Sequence, residues 1–293
     1  MRLIPPDGSR DPRTEDPTNV WFVHLIGRAL LPAALKLRLS ANAVSVAGFL
    51  FGALAARALL HWALPWQATL GFALSVAWLI ADGLDGMIAR ATGSASALGR
   101  FLDGVCDHAV FVLLYVALAA SIDTPGAWTL ASVAGFFHAV QSTLYEGERM
   151  RFHRRITGEA QLAGTAAPPN VVMRLYDAVA GSFDRAAAPF ERLLARASDP
   201  QRLGCLYGSR AWPALRLLSL LSNNMRVILI YISALAGDVR LYWWIEIVPL
   251  SLVAVAGILG HRRIEAALVR GEGARWVPPR DGVAGLAGGG DEE

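Results

Sequence analysis

Four aspartates, Asp82, Asp85, Asp103 and Asp107, fall within one 26-residue stretch of an otherwise strongly apolar chain. Asp82, Asp85, Gly86, Ala89 and Arg90 are spaced i, i+3, i+4, i+7 and i+8, which is one face of a helix. Gly99, Asp103 and Asp107 recur every four residues and share a face in the same way. A short loop joins the two segments, so four carboxylates can converge on one pocket just inside a membrane surface. An ionised side chain within a membrane span costs about 3 kcal/mol on insertion scales, and mutual repulsion adds to that. Divalent cations offset the cost. Carboxylate oxygens with no His or second Cys beside them suit a hard ion, Mg²⁺ or alternatively Mn²⁺. Two such ions could clamp both ends of a phosphoryl displacement. A structural ion cluster or a proton relay is the plainer alternative, but neither needs the Gly and Ala spacing.

Gly86, Ala89 and Gly99 leave an opening between the helices that a nucleotide diphosphate could use, although the same residues also serve tight helix packing. Arg90 can neutralise phosphate charge or simply set membrane topology. Ser96 stands where it could cap the second acidic helix.

The elements that must position these residues follow from composition. Of 293 residues 54% are hydrophobic and 17% charged, and the mean hydropathy is +0.40. Six apolar segments of roughly spanning length can be drawn: Ala43–Leu60, Ala68–Ala89, Leu98–Ser121, Trp128–Tyr145, Leu217–Ala236 and Tyr242–Gly260. The connections after the first, third and fifth are short and carry a single arginine, Arg240. The others hold the net charge of +3, carried almost wholly by arginine, with Lys36 the only lysine. That asymmetry places both termini and the aspartates on the cytoplasmic side of a cell's inner membrane. Trp62, Trp66, Trp243 and Trp244 fit an outer interfacial belt.

The expected fold is therefore an all-α, polytopic membrane protein. Residues 1–20 form a flexible N-terminus without the apolar core of a secretory signal. Residues 21–39 (Trp21–Leu39) form an amphipathic helix on the cytoplasmic membrane surface. Residues 40–147 hold the first four spans and the acidic stretch 82–107. Residues 148–211 form an amphipathic helical insert between the fourth and fifth spans, with Val172, Leu175, Val179, Phe183, Phe190 and Leu194 at helical spacing. Pro189 should kink or end that helix. Residues 212–262 hold the last two spans, and 263–293 a cytoplasmic tail expected to be disordered from Gly271 on.

Several polar residues have ordinary readings. His108 points off the acidic face and is read as structural. His138 is read as a satisfied core histidine, Arg57 and Glu246 as snorkelling to the interface, and Arg149–Arg155 as a solvated, lipid-facing cluster. Asn223, Asn224 and Arg226 lie in the fifth span at the depth of the aspartates, where polar residues often line a cavity. They are candidates for holding an acceptor alcohol, with interfacial anchoring as the alternative. Cys106 and Cys205 form no disulfide or zinc pattern. No nucleic-acid partner is expected, because the arginines follow the loops.

The run from Asp82 to Asp107 resembles the CDP-alcohol phosphotransferase family (class I), whose signature is D-x2-D-G-x2-A-R-x8-G-x3-D-x3-D. Every fixed position matches. The resemblance implies six transmembrane helices, a membrane-surface helix before the first and a homodimer; it does not cover the insert from Glu146 to Ala211. It implies that Asp82, Asp85 and Asp103 ligate metal, with Asp107 at the metal site and acting as general base. Gly86, Ala89, Arg90 and Gly99 would line the CDP site. The implied reaction moves a phosphatidyl group from CDP-diacylglycerol to a small polar alcohol with release of CMP. A soluble CDP-alcohol giving its phospho-alcohol to a lipid fits the same residues. From other classes, an Mg²⁺-dependent intramembrane prenyltransferase and an ion-binding transport protein remain as rivals.

Overall fold

In the computed structural model, residues 11, 13–161 and 187–271 are described. Val172, Leu175, Val179 and Phe183, and the tail beyond Gly271, lie outside them. A π-helical turn, Asn19–Val23, leads into α1 (His24–Lys36), followed by α2 (Ala41–Leu59), α3 (Pro65–Ala91), α4 (Ala97–Ile122) and α5 (Pro125–Ile156). Then come α6 over residues 187–195, α7 (Pro200–Leu218), a 3-10 turn (Ser219–Leu221), α8 (Asn223–Leu235), α9 (Arg240–Ile247) and α10 (Pro249–Val269). No strand occurs among the described residues. The chain divides into two compact units, residues 1–154 with 211–261, and residues 155–210 with 262–293.

In the first unit α2 packs on α3 and α4, and α3 also contacts α1 and α8. Ser40 caps α2 by accepting from the Ala43 amide at 3.2 Å. Two small residues one turn apart on α2 allow the close approach. A Cβ on Gly52 would overlap the branched side chain of Val110 on α4, and one on Gly48 would sit 3.2 Å from Ala81 Cβ on α3. The core so formed holds Leu59, Trp78, Leu114, Leu118, Tyr242 and Trp243. The outward stripes are also apolar: Val46, Leu50 and Leu54 on α2, Val112 and Val116 on α4, Leu252, Val255 and Leu259 on α10 are all exposed. Apolar stripes this continuous are what a lipid solvent permits and water does not.

Among the described residues, four helical stretches are long and apolar enough to cross a membrane: Ala41–Leu59, Pro65–Ala91, Gly104–Ile122 and Arg240–Val269. Pro200–Leu221 with Asn223–Leu235, bent by 46° at their break, make a fifth if taken as one span. These apolar spans mark a multi-pass membrane protein. The segment Trp128–Tyr145 is helical within α5, where His138 and Gln141 are buried against protein.

Other expectations change for physical reasons. Thr14, Glu15 and Asp16, inside the stretch expected to be flexible, are buried: Asp16 accepts from Ser222 at the start of α8, the Glu15 carbonyl accepts from Arg216 of α7, and Thr14 Oγ1 donates to the Asp11 carbonyl. Trp66 and Trp244 are exposed as a belt requires, whereas Trp243 is fully buried in the core. Glu246 does not reach an interface. It is 0% exposed, because Arg226 supplies its counter-charge. His138 is buried as expected but not satisfied, since its Nδ1 has no hydrogen-bond partner. Its ring packs instead against Phe111 and Tyr115. His108 bonds its own helix through Nδ1 to the Gly104 carbonyl at 2.7 Å.

The second unit corrects the reading of the arginine cluster. Arg155 is fully buried. It donates to Glu191 at 2.9 Å and to Glu265, and lies over the stacked rings of Phe190 and Tyr207. Two carboxylates and two ring faces compensate the cation. Phe190 and Leu194 are buried as their spacing predicts, while α6 runs on through Pro189 to residue 195 without ending there.

Candidate active site

The acidic stretch occupies the C-terminal half of α3 and the first turns of α4. After α3 the chain reverses through Thr92 and Gly93, whose φ of +64° is the left-handed conformation that glycine adopts freely. Ser96 then caps α4, accepting from the Gly99 amide at 3.0 Å, as its position suggests. Further along α4, Asp107 comes within hydrogen-bonding reach of Trp78 on α3.

Side chains of α2, α3 and α8 reach the acidic residues. Asp85, only 4% exposed, accepts a hydrogen bond from Ser45 Oγ of α2. Asp107, half-buried, accepts from Trp78 Nε1 of α3 at 3.2 Å through Oδ1. Its Oδ2 faces Asn223 Nδ2 of α8 at 3.5 Å, the outer limit of a hydrogen bond. Asp82 is partly exposed on α3. The side chain of Asp103 lies outside the described atoms.

The residues assigned to a nucleotide lie on the same two helices, α3 and α4. Arg90 is exposed and Ala89 partly so. A Cβ on Gly86 would come 3.2 Å from Arg90 Nη1, so the missing side chain makes room for the guanidinium. A Cβ on Gly99 would come 3.2 Å from Ser96 Oγ and 3.6 Å from Asn42 Oδ1 of α2. Carboxylate oxygens supported by hydroxyl, indole and amide donors fit a hard divalent cation.

Of the three acceptor candidates, only Asn223 faces the aspartates. Asn224 donates to Thr18 Oγ1 at 2.8 Å and Asn19 Oδ1 at 2.7 Å. Arg226 is 0% exposed and turned into the bundle. Its Nε donates to both Glu246 oxygens at 3.1 Å, Nη2 to Gln141 at 3.1 Å and Nη1 to Ser142 at 3.1 Å. Tyr242 donates to the same carboxylate at 3.1 Å.

Sequence reasoning missed Ser45, Trp78 and Asp16. Trp78 stands four residues before Asp82, on the same helical face, so its periodicity could have flagged it. Ser45 and Asp16 carry no local signal.

The family model of CDP-alcohol phosphatidyltransferases matches residues 38–161, from just before α2 to just beyond α5. That span includes the whole acidic stretch together with Ser45 and Trp78. Residues 38–161 therefore carry a CDP-alcohol phosphatidyltransferase domain, which makes the protein a transferase of phosphate-containing groups. Members of this family generally depend on divalent metal ions. No curated protein matches the chain.

Proposed function

We propose that this protein transfers the phosphatidyl group of CDP-diacylglycerol to a small polar alcohol, releasing CMP. The observation that carries the reading is Asp107, a carboxylate of the family-matched domain held between α3, α4 and α8 by named donors. Asp82, Asp85, Asp103 and Asp107 would hold two divalent ions, Mg²⁺ or Mn²⁺, which when bound neutralise the pyrophosphate and the departing charge.

The chain's own groups do the rest. Arg90, with the space left by Gly86, Ala89 and Gly99, binds the CDP phosphates. The Trp78 indole anchors Asp107 Oδ1, leaving Oδ2 towards α8. Asp107 takes the proton of the acceptor hydroxyl, and the oxygen forms a bond to the lipid-bearing phosphorus as the bond to CMP breaks. Asn223 orients that hydroxyl, while Asn224 and Arg226 hold Asn223 in place.

The proposed setting is the cytoplasmic face of a cell's inner membrane, with both termini cytoplasmic. Six spans include α5, α1 lies along the surface, and two copies pair as a homodimer.

The test is purified protein with CDP-diacylglycerol, Mg²⁺ and a panel of alcohols, the products identified by mass. CMP with a new phospholipid is expected. Turnover of a soluble CDP-alcohol with a lipid acceptor would reverse the assignment of donor. Turnover of prenyl diphosphates alone, or ion flux with no CMP, would overturn it. Within the assay, Asn223→Ala should raise the acceptor KM by about tenfold and leave the donor KM unchanged.

A further inference from the structure

Arg226 occupies an expensive position. It lies one turn into α8, where the positive end of the helix dipole disfavours a cation. It is also 0% exposed within an apolar bundle, where a buried ion costs several kcal/mol unless fully compensated. A neutral apolar side chain would satisfy the local rules better. Violations of this kind concentrate at functional sites.

What the guanidinium does there is specific. Besides Glu246, Gln141 and Ser142, its Nη1 reaches back to the carbonyl oxygen of Leu221. Leu221 ends the 3-10 turn at the point where the helical path bends by 46°. At such a break a buried carbonyl has no helical partner. Glu246 is held in turn, by Tyr242 at 3.1 Å and by the bidentate contact with Arg226. Gln141 also donates to the Glu246 backbone carbonyl at 2.9 Å. Helices α5, α8 and α9 are therefore fastened to one carbonyl of the break.

The N-terminal segment holds the other side of the same break. Ser222, the N-cap of α8, donates to Asp16, and Arg216 donates to the Glu15 carbonyl at 2.7 Å. Asn224 is held by Thr18 and Asn19. The residue enclosed between Ser222 and Asn224 is Asn223, whose amide stands 3.5 Å from Asp107 Oδ2.

We infer that Arg226 and Glu246 are positioning residues of the active site: they fix the carbonyl of Leu221, and so the helix break, in the one arrangement that presents Asn223 to Asp107. The N-terminal segment Thr14–Asn19 is the opposing clamp. At a separation of 3.5 Å a small rotation of the first turn of α8 removes the contact, and misplacements of about 1 Å can cost on the order of a hundredfold in rate. The inference rests on the reading of Asp107 as the base.

The test is a pair of double-mutant cycles on the full chain in lipid nanodiscs, with CMP release as readout. Arg226→Lys keeps the charge without the planar fork, and Glu246→Gln keeps the shape without the charge. Each should lower kcat/KM for the acceptor by about tenfold, as Asn223→Ala does, and leave the donor KM within about twofold. In an Asn223→Ala background the same replacements should cost less than about twofold, because the group they position is gone. A cost undiminished in that background would overturn the inference, since a merely architectural pair acts whether or not Asn223 is present.

A second measurement separates this outcome from failure of the proposed reaction. With Cys106→Ser and Cys205→Ser, spin labels are attached at Leu220→Cys beside the break and Val112→Cys on α4, both exposed positions. If the unmodified protein releases no CMP, the proposed reaction is wrong and the label distances decide alone. Arg226→Lys should then broaden a narrow distance distribution, and an unchanged width would refute the positioning role.

Discussion

The acidic helices and the start of α8 build one pocket by opposite means. In α3 and α4 the acidic side chains follow one another at helical repeat within unbroken helices. At α8 the helical path is broken, a single amide is presented, and a buried arginine, a buried glutamate and a packed N-terminal segment are needed to hold it. A regular helix orients side chains through its own backbone hydrogen bonds, whereas a break must be fixed by contacts from elsewhere. Damage to the first region should therefore strike the chemistry with little effect on folding. Damage to the second should affect both.

The largest expected effect tests the first half of that contrast. Asp107→Asn should reduce CMP release by about a thousandfold or more while thermal stability and donor binding largely persist. Chelation of divalent metal from the unmodified protein should mimic it and be reversed by Mg²⁺. Full activity of the asparagine variant would remove Asp107 as base.

Next comes the second half. Arg226→Met leaves Glu246 buried without its partner and should destabilise the protein by about 3–5 kcal/mol in thermal unfolding. Combining it with Glu246→Leu should restore most of the stability but not kcat/KM for the acceptor. Recovery of both would mean that the pair serves only the fold.

A smaller effect tests the packing beneath the acidic helices. Gly52→Ala should cost about 1–3 kcal/mol of stability, since the stiff side chain of Val110 cannot yield without moving α4. The smallest sharpens the contrast. Trp78→Phe keeps an aromatic ring but removes the donor to Asp107 and leaves a small cavity, and should lower kcat by about tenfold with a stability loss of only about 1 kcal/mol. A large loss of stability in that variant would show that Trp78 acts chiefly as core.

Much of the acidic region was legible beforehand, because Asp82, Asp85, Gly86, Ala89 and Arg90 are related by intervals within one helix. The cap at Ser96 was legible for the same reason. Glu246 and Arg155 were misjudged as interfacial or solvated, because a charge in sequence carries no sign of the partner that will neutralise it. The fourth segment was drawn from hydrophobic content alone, and within it His138 and Gln141 face protein.

From its residues alone the chain declared a helical membrane protein with acidic residues on two neighbouring helical faces, because those properties reside in composition and short-range periodicity. Which polar groups meet across the bundle was decided only by the tertiary structure. Ser222 finds Asp16 across 206 positions, and Arg226 finds Gln141 across 85. Contacts that distant leave no trace in a helical repeat. They arise because burial in an apolar surround makes an unpaired polar group costly, so each must end beside whatever partner the packing brings.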